Sequence, residues 1–255
     1  MKLFAHWELI KHLTMREIKA RYKQSFLGLF WVILNPFFQM LIMSFVFSHI
    51  MKVQNLGVPF PIFLYAGLLP WTFFANSISN SMSILPENGS LIKKIYFPRE
   101  ILIISTLLAK AFDFALSTIV FILLMFWFHI PFTAYMLLFI PLFALQFVFT
   151  LGISLLLSVM NLLYRDVQYL FTLILTLWFY LTPVIYSIDF FPEQYRWIFK
   201  INPMAVFINA YREVLLGGDA PNWASLGIGI LVSGLLFIVA FSIFKKAEGM
   251  FADVV

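Results

Sequence analysis

Residues 101–128 read I-L-I-I-S-T-L-L-A-K-A-F-D-F-A-L-S-T-I-V-F-I-L-L-M-F-W-F, an apolar run whose only charges are Lys110 and Asp113. A helix needs about 20 apolar residues to cross the roughly 30 Å hydrocarbon layer, and this run exceeds that length without the alternation of a barrel strand. Working outward, comparable windows lie near 29–51, 60–84, 134–161, 168–187 and 224–244. The chain is 62% hydrophobic and 11% charged, which leaves too little polar surface to cover a water-soluble globule. The expected fold is therefore an all-α membrane protein with six transmembrane helices, forming one domain over residues 1–255. Residues 1–26 contain no apolar core and the first long run has no small-residue cleavage site behind it, so that run is read as an anchor and not as a signal peptide.

Six crossings put both termini on one side of the membrane. If that side is the cytoplasm, the inner segments hold Lys2, Lys11, Arg16, Lys19, Arg21, Lys23, Lys93, Lys94, Arg99, Arg165, Lys245 and Lys246, against Lys52, Arg196, Lys200 and Arg212 outside. Lys and Arg near span ends are retained on the cytoplasmic face, so this split predicts that both termini are cytoplasmic.

Between the fifth and sixth spans, residues 188–223 are expected outside yet remain apolar, with Phe190, Phe191, Tyr195 and Trp197 in the first part. Pro192, Asn202-Pro203 and Gly217-Gly218 divide the stretch into two short helical pieces. One reading makes them re-entrant external helices at a gate, because non-helical backbone at membrane depth survives only beside protein or a water-filled path. The other lays them flat in the interface.

The chain begins on a basic segment. Over residues 1–26 a helix would place Trp7, Ile10, Ile18 and Tyr22 on one side and Arg16, Lys19 and Lys23 roughly opposite, as in an amphipathic interface helix on an anionic leaflet. Lys11 and Arg21 fall on the apolar side and would have to snorkel. An ordinary topology-setting basic tail is the alternative.

Charges at membrane depth need a reason, since each costs about 3 kcal/mol on insertion scales. Lys110 and Asp113, at spacing i, i+3, share a helix face and can neutralise each other; an intramembrane ion pair and a proton-transport role both fit. The second span ends in a polar ladder, Asn76, Ser77, Ser79, Asn80, Ser81 and Ser83, which either hydrogen-bonds to neighbouring helices or lines a hydrated entrance. Aromatic residues make up 19% of the chain, and Trp178, Phe179, Tyr180 and Tyr186 near the outer end of the fifth span are candidates for stacking on sugars, since aromatic faces accept them without one fixed pose.

Several chemistries are missing. There is no cysteine, hence no disulfide or thiolate metal site. No phosphate-binding loop of the form G-x-x-x-x-G-K-[ST] occurs, so any ATP hydrolysis belongs to a partner. His6, His12, His49 and His129 are scattered and form no metal motif, and no acid–base pair accompanies Asp113. No metal, no catalytic residue and no nucleic-acid partner are expected.

Six blocks carry a resemblance. They are R-E-I-K-A-R-Y-K-Q-S-F-L-G-L-F-W at 16–31 with Asn35-Pro36, G-L-L-P-W-T-F-F at 67–74, I-K-K-I-Y-F-P-R-E-I-L at 92–102, N-L-L-Y-R-D-V at 161–167, T-P-V-I-Y at 182–186, and N-P-M-A at 202–205 leading to Y-R-E at 211–213. In this order they resemble an ABC-2 type permease of the polysaccharide-export group. That resemblance implies a homodimer joined to two copies of an ATPase subunit that binds ATP and magnesium, and a lipid-linked polysaccharide substrate such as O-antigen, teichoic acid or capsule. It also implies that segment 85–100 is a coupling helix docking on the ATPase, through Asn88, Leu91, Ile92, Lys93, Lys94, Tyr96, Arg99 and Glu100. Arg165-Asp166 would form a second contact. A permease for a small drug or lipid, and a proton-coupled transporter using Asp113, are the rival readings.

Overall fold

The computed structural model describes residues 6–22, 28, 30–50 and 57–254, and every regular element among them is helical. In chain order these are α1 (Trp7–Tyr22), α2 (Phe30–Phe45), α3 (Phe60–Glu87), α4 (Gly89–Lys94), α5 (Glu100–Trp127), α6 (Phe139–Leu163), α7 (Val167–Leu181), α8 (Trp197–Ile201), α9 (Pro203–Arg212), α10 (Trp223–Ala247) and α11 (Phe251–Val254). A π turn extends α2 to Ile50, and a 3₁₀ turn over Ala134–Leu138 leads into α6. Lys2, Lys23 and Lys52, counted above for orientation or for the basic face, lie outside the described residues.

Among the described residues, five helices are long and apolar enough to cross a membrane: α2 with its extension, α3, α5, α6 with its leading turn, and α10. The window expected at 168–187 is realised as α7, whose 15 residues span only about 22 Å at 1.5 Å per residue. The helix stops early because Thr182 precedes Pro183 and takes an extended backbone, ψ 136°. A residue before proline is driven out of the α region, and proline has no N–H to continue the ladder.

The centre of the bundle is α3, with 78% of its most apolar window buried against 17–33% for the other four long helices. It packs on α5 and α6, on α2, and on α9; α10 lies along α6, and α1 runs along α5. Tyr65, Phe74, Phe121 and Phe207 are among the side chains sealed in the main core. A second cluster joins Ile10 and Leu13 of α1 to Ile92, Phe97, Phe244 and Phe251. The ends of α3, α6 and α10, together with α4 and α11, make one pole of the molecule, the terminal pole. The start of α3, the end of α7 and the segment 182–222 make the far pole.

The apolar stretch 188–223 does break into short pieces. Two 3₁₀ turns, Ile188–Phe190 and Glu193–Tyr195, precede α8 and α9. Of these, α9 is packed into the bundle against α3, α6 and α10, with Met204, Phe207, Ile208 and Tyr211 buried. It closes through a π turn to Gly218, whose φ of 68° is left-handed. A side chain there would be strained and would also meet Thr133 at 2.9 Å.

Candidate functional site

At the far pole, the sequence blocks at 67–74, 182–186, 202–205 and 211–213 converge. Arg212, 7% exposed, donates from Nη1 to the carbonyl of Pro183 at 2.6 Å and from Nη2 to that of Val184 at 2.6 Å. Weaker bonds of 3.4 Å reach Tyr186 and Phe63, and the guanidinium lies 3.6 Å over the Phe63 ring. Backbone that leaves the helix in an apolar interior must find donors within the protein, and Arg212 supplies them to the non-helical run after α7. Gly67 makes room for it: an added Cβ would stand 2.7 Å from Arg212 Nη2 and 2.9 Å from the Val184 carbonyl.

Asn202 ties α7 to α9. Its Oδ1 caps α9 by accepting from the Met204 N–H at 3.1 Å and also accepts from Trp178 Nε1 at 2.9 Å, while Nδ2 donates to Thr182 Oγ1 at 2.9 Å. Gln146 of α6 donates to the Pro70 carbonyl at 2.7 Å and accepts from the Tyr211 hydroxyl at 3.0 Å. Burial holds the Glu213 carboxyl above its usual range, against the opposing bond from the Asn222 N–H. Charge counting assigned Arg212 only a place in an outer loop; the signal for its role was a lone arginine inside the apolar run M-A-V-F-I-N-A-Y-R-E-V-L-L. Trp178 and Phe179, expected to face a sugar, are half-buried against Trp71. Tyr186 donates its hydroxyl to the Tyr180 carbonyl at 2.8 Å, and Phe191 packs on Phe199. Tyr180, Phe190, Tyr195 and Trp197 stay exposed.

A cleft of about 260 Å³ opens between α1, α2, α3 and α5, lined by Asn35, Thr72, Asn76 and Ser117 beside three charges. Lys110 Nζ lies 3.8 Å from Asp113, as the spacing predicted, but Asp113 is also bound by Arg21. Arg21 therefore turns into the protein where a snorkelling side chain was expected. Asp113 sits about 20 Å along α5 from Glu100 at 1.5 Å per residue, so α1 climbs α5 instead of stopping at its end. Of the expected interface residues, Trp7, Arg16 and Lys19 are exposed, and Arg16 also donates to Asn88 Oδ1 at 2.7 Å.

The accessible side of α3 is polar. Thr72, Asn76, Ser79, Asn80 and Ser83 carry what exposure this helix has over that length, apart from Ala75, while Ser77 and Ser81 turn inward. The most buried helix of the bundle thus leaves open a face unsuited to lipid.

At the terminal pole, Tyr96 is 95% exposed, and Ile95, Lys93 and Lys94 are exposed beside it. Leu91 and Arg99 are half-buried, and Arg165 and Asp166 are exposed in the α6–α7 turn. Ile92, Asn88 and Glu100 are buried. Those three side chains are spent on this chain's own interior: Ile92 in the second core cluster, Asn88 on Arg16 and the Ile84 carbonyl, Glu100 on Lys245. The 161–167 block folds the turn back, with Asn161 donating to the Met82 carbonyl at 2.7 Å and accepting from the Gln168 N–H. Among the described residues no cluster of carboxylates and histidines is arranged to hold a metal.

A family model for the ABC-2 type transporter matches residues 8–216. The O-antigen export system permease protein RfbA of Klebsiella pneumoniae is 33% identical over 250 residues, covering 97% of this chain and 95% of that protein. The RfbA permease of Myxococcus xanthus is 32% identical, with 99% and 97% covered. The polysialic acid transport protein KpsM of Escherichia coli is 24% identical, with 94% and 93% covered. With its helical architecture, its membrane-length helices and these matches along nearly its whole length, the chain belongs to the ABC-2 type transporter family.

Proposed function

We propose that this chain is the membrane-spanning subunit of an ATP-driven exporter that moves a lipid-linked cell-surface polysaccharide, of the O-antigen class, across the bacterial inner membrane. It works as a homodimer with two copies of a separate ATPase, which binds the ATP and magnesium; the permease provides path and gate and breaks no bond. The names of the relatives support the substrate class, and the exposed Tyr96 with Lys93 and Lys94 supports a docking surface for the ATPase. In this reading α7 and the non-helical run after it make a sixth crossing, both termini are cytoplasmic, and α8 and α9 dip back into the membrane from outside.

The observation that carries the reading is the polar accessible face of α3. Lipid cannot cover Asn76 without leaving donors and acceptors of its amide unsatisfied, at several kcal/mol, whereas a second copy closing over the face would enclose a hydrated path. A polymer that slides is served by many weak polar and stacking contacts, by analogy with single-strand channels.

Because the chain has no cysteine, single thiols report directly. Asn76→Cys and Ser79→Cys are expected to react with a membrane-impermeant thiol reagent in permease–ATPase complexes, while Ile119→Cys and Leu123→Cys, on exposed apolar positions of α5, stay unreactive. Equal protection of all four would remove the path. Deletion should abolish the surface polysaccharide; a small-molecule efflux defect with intact surface glycan would assign another substrate.

A further inference from the structure

Four charged side chains from distant parts of the sequence meet at the terminal pole. Arg99 caps the start of α5 and Glu100 is its first residue, whereas Lys245 lies in the last turn of α10 and Glu248 just beyond it. Lys245 Nζ is 2.7 Å from Glu100 Oε2 and 2.9 Å from Glu248 Oε2. Glu248 Oε1 accepts the Arg99 backbone N–H at 3.0 Å, and the Glu248 carbonyl accepts the Arg99 guanidinium at 2.7 Å. The cluster fixes register as well as contact, because each group has a partner in only one axial position of α10 against α5.

The positions of these helices give the cluster a consequence. Tyr96 and α4 come immediately before Arg99 in the chain, and α11 beyond Glu248 packs against α4. From there α10 runs along α6 to the far pole, where it meets α9. At that contact, an added Cβ on Gly229 would stand 3.6 Å from both Val206 and Phe207. Since α9 carries Arg212, α10 is bonded at one end to Arg99 and Glu100, which follow the segment that faces the ATPase, and meets at the other the helix that holds the far-pole backbone. Close-packed interiors transmit such displacements with little loss.

We infer that Arg99, Glu100, Lys245 and Glu248 are positioning residues for energy coupling: they bind the end of the docking segment 85–100 to α10, and α10 carries its movement to α9. This rests on the ATPase partnership proposed above. The same four groups would be required of a static brace, so the test reads movement at the far pole and not stability.

Val206→Cys and Gly229→Cys are introduced together into the full permease, co-expressed with its ATPase and assayed in membrane vesicles by oxidative cross-linking with and without ATP and vanadate. In the parent pair, nucleotide changes the cross-linking rate. Lys245→Met and Glu248→Gln abolish that change while assembly with the ATPase and ATP hydrolysis persist, and Lys245→Arg, which keeps the charge, retains it. A nucleotide response that survives Lys245→Met and Glu248→Gln overturns the inference. So does loss of assembly in Glu248→Gln, which would make the cluster a brace only. A native permease that binds no ATPase at all would instead overturn the proposed function, a result distinguishable from either.

Discussion

Arg212→Lys keeps the buried charge and removes the fork, so it isolates what the guanidinium geometry contributes at the far pole. In the native chain the two 2.6 Å bonds to the Pro183 and Val184 carbonyls leave from different nitrogens. An ammonium presents its donors at one point and can keep one of these bonds. The carbonyl left without a donor in a buried, non-helical run costs about 1–3 kcal/mol. Taking about 2 kcal/mol, the population in which segment 182–186 detaches rises roughly thirtyfold, since about 1.4 kcal/mol is a factor of ten. Val184 is 0% exposed, so Val184→Cys is a buried thiol in a chain with no other, and the substitution leaves the Val184 carbonyl in place. When opening is fast relative to labelling, maleimide reaction follows the open population, and Arg212→Lys is expected to accelerate it roughly thirtyfold. A rate within about twofold of the parent, at equal protein in the membrane, would show that the fork holds nothing shut.

Gly67→Ala attacks the same clamp from α3: its Cβ would crowd Arg212 Nη2 and the Val184 carbonyl, and overpacking of about 1–3 kcal/mol should speed the Val184→Cys reaction by roughly fivefold to a hundredfold. Asp113→Asn removes the carboxylate shared by Arg21 and Lys110; a lowered melting temperature of the solubilised permease is expected, and native export that continues when the proton gradient is collapsed with ATP maintained. Export that stops under that condition would give Asp113 a coupling role. Ile92→Asp buries a carboxylate at a position 3% exposed and should reduce folded protein, whereas Tyr96→Asp, at 95% exposure, should leave the fold intact and weaken co-purification with the ATPase. Burial pushes the Glu213 carboxyl up from its ordinary 4.5, so the folded chain holds that proton more tightly than the unfolded one, and stability falls as pH rises through the window above 4.5. Glu213→Gln should flatten the difference in melting temperature between about pH 5 and about pH 7.

Long apolar windows and their breaks were legible in the sequence because lipid imposes them residue by residue, and α5 differs from its expected bounds by one residue at either end. The Lys110–Asp113 pair was legible for a related reason: helical spacing alone puts the two side chains on one face. What could not be read was any partnership set by tertiary packing. Arg21 looked like a misplaced cation on an apolar face until α5 brought Asp113 to it, across a separation of 92 residues. Ile92 enters the docking set through the resemblance carried by its block at 92–102, and its place in the second core cluster was not legible there: a one-residue step on a helix is about 100° of rotation, enough to turn it inward while Lys93 stays exposed. The polar ladder on α3 was visible, yet its division into buried Ser77 and Ser81 and accessible Asn76 and Ser79 depends on where α5 and α6 pack.

The two poles also differ in how they handle charge, and the difference follows from what each must hold. At the terminal pole, side chains of opposite sign join two helix ends and also take up one N–H at Arg99 and one carbonyl at Glu248, so the cluster decides how one helix end sits against another. At the far pole the groups needing partners are carbonyls, because Pro183 ends α7 before its ladder is complete. A carboxylate would repel them, and no carboxylate among the described residues pairs with Arg212. A single amide, as Gln146 offers to Pro70, reaches one carbonyl, whereas the guanidinium fork reaches several: Pro183, Val184 and Tyr186 are the carbonyls it spans. A longer unwound run would need a second donor, and a shorter one would leave the buried cation short of acceptors. The length of the non-helical stretch and the identity of the residue at 212 are therefore one constraint, and moving the backbone of 182–186 means moving Arg212 with it.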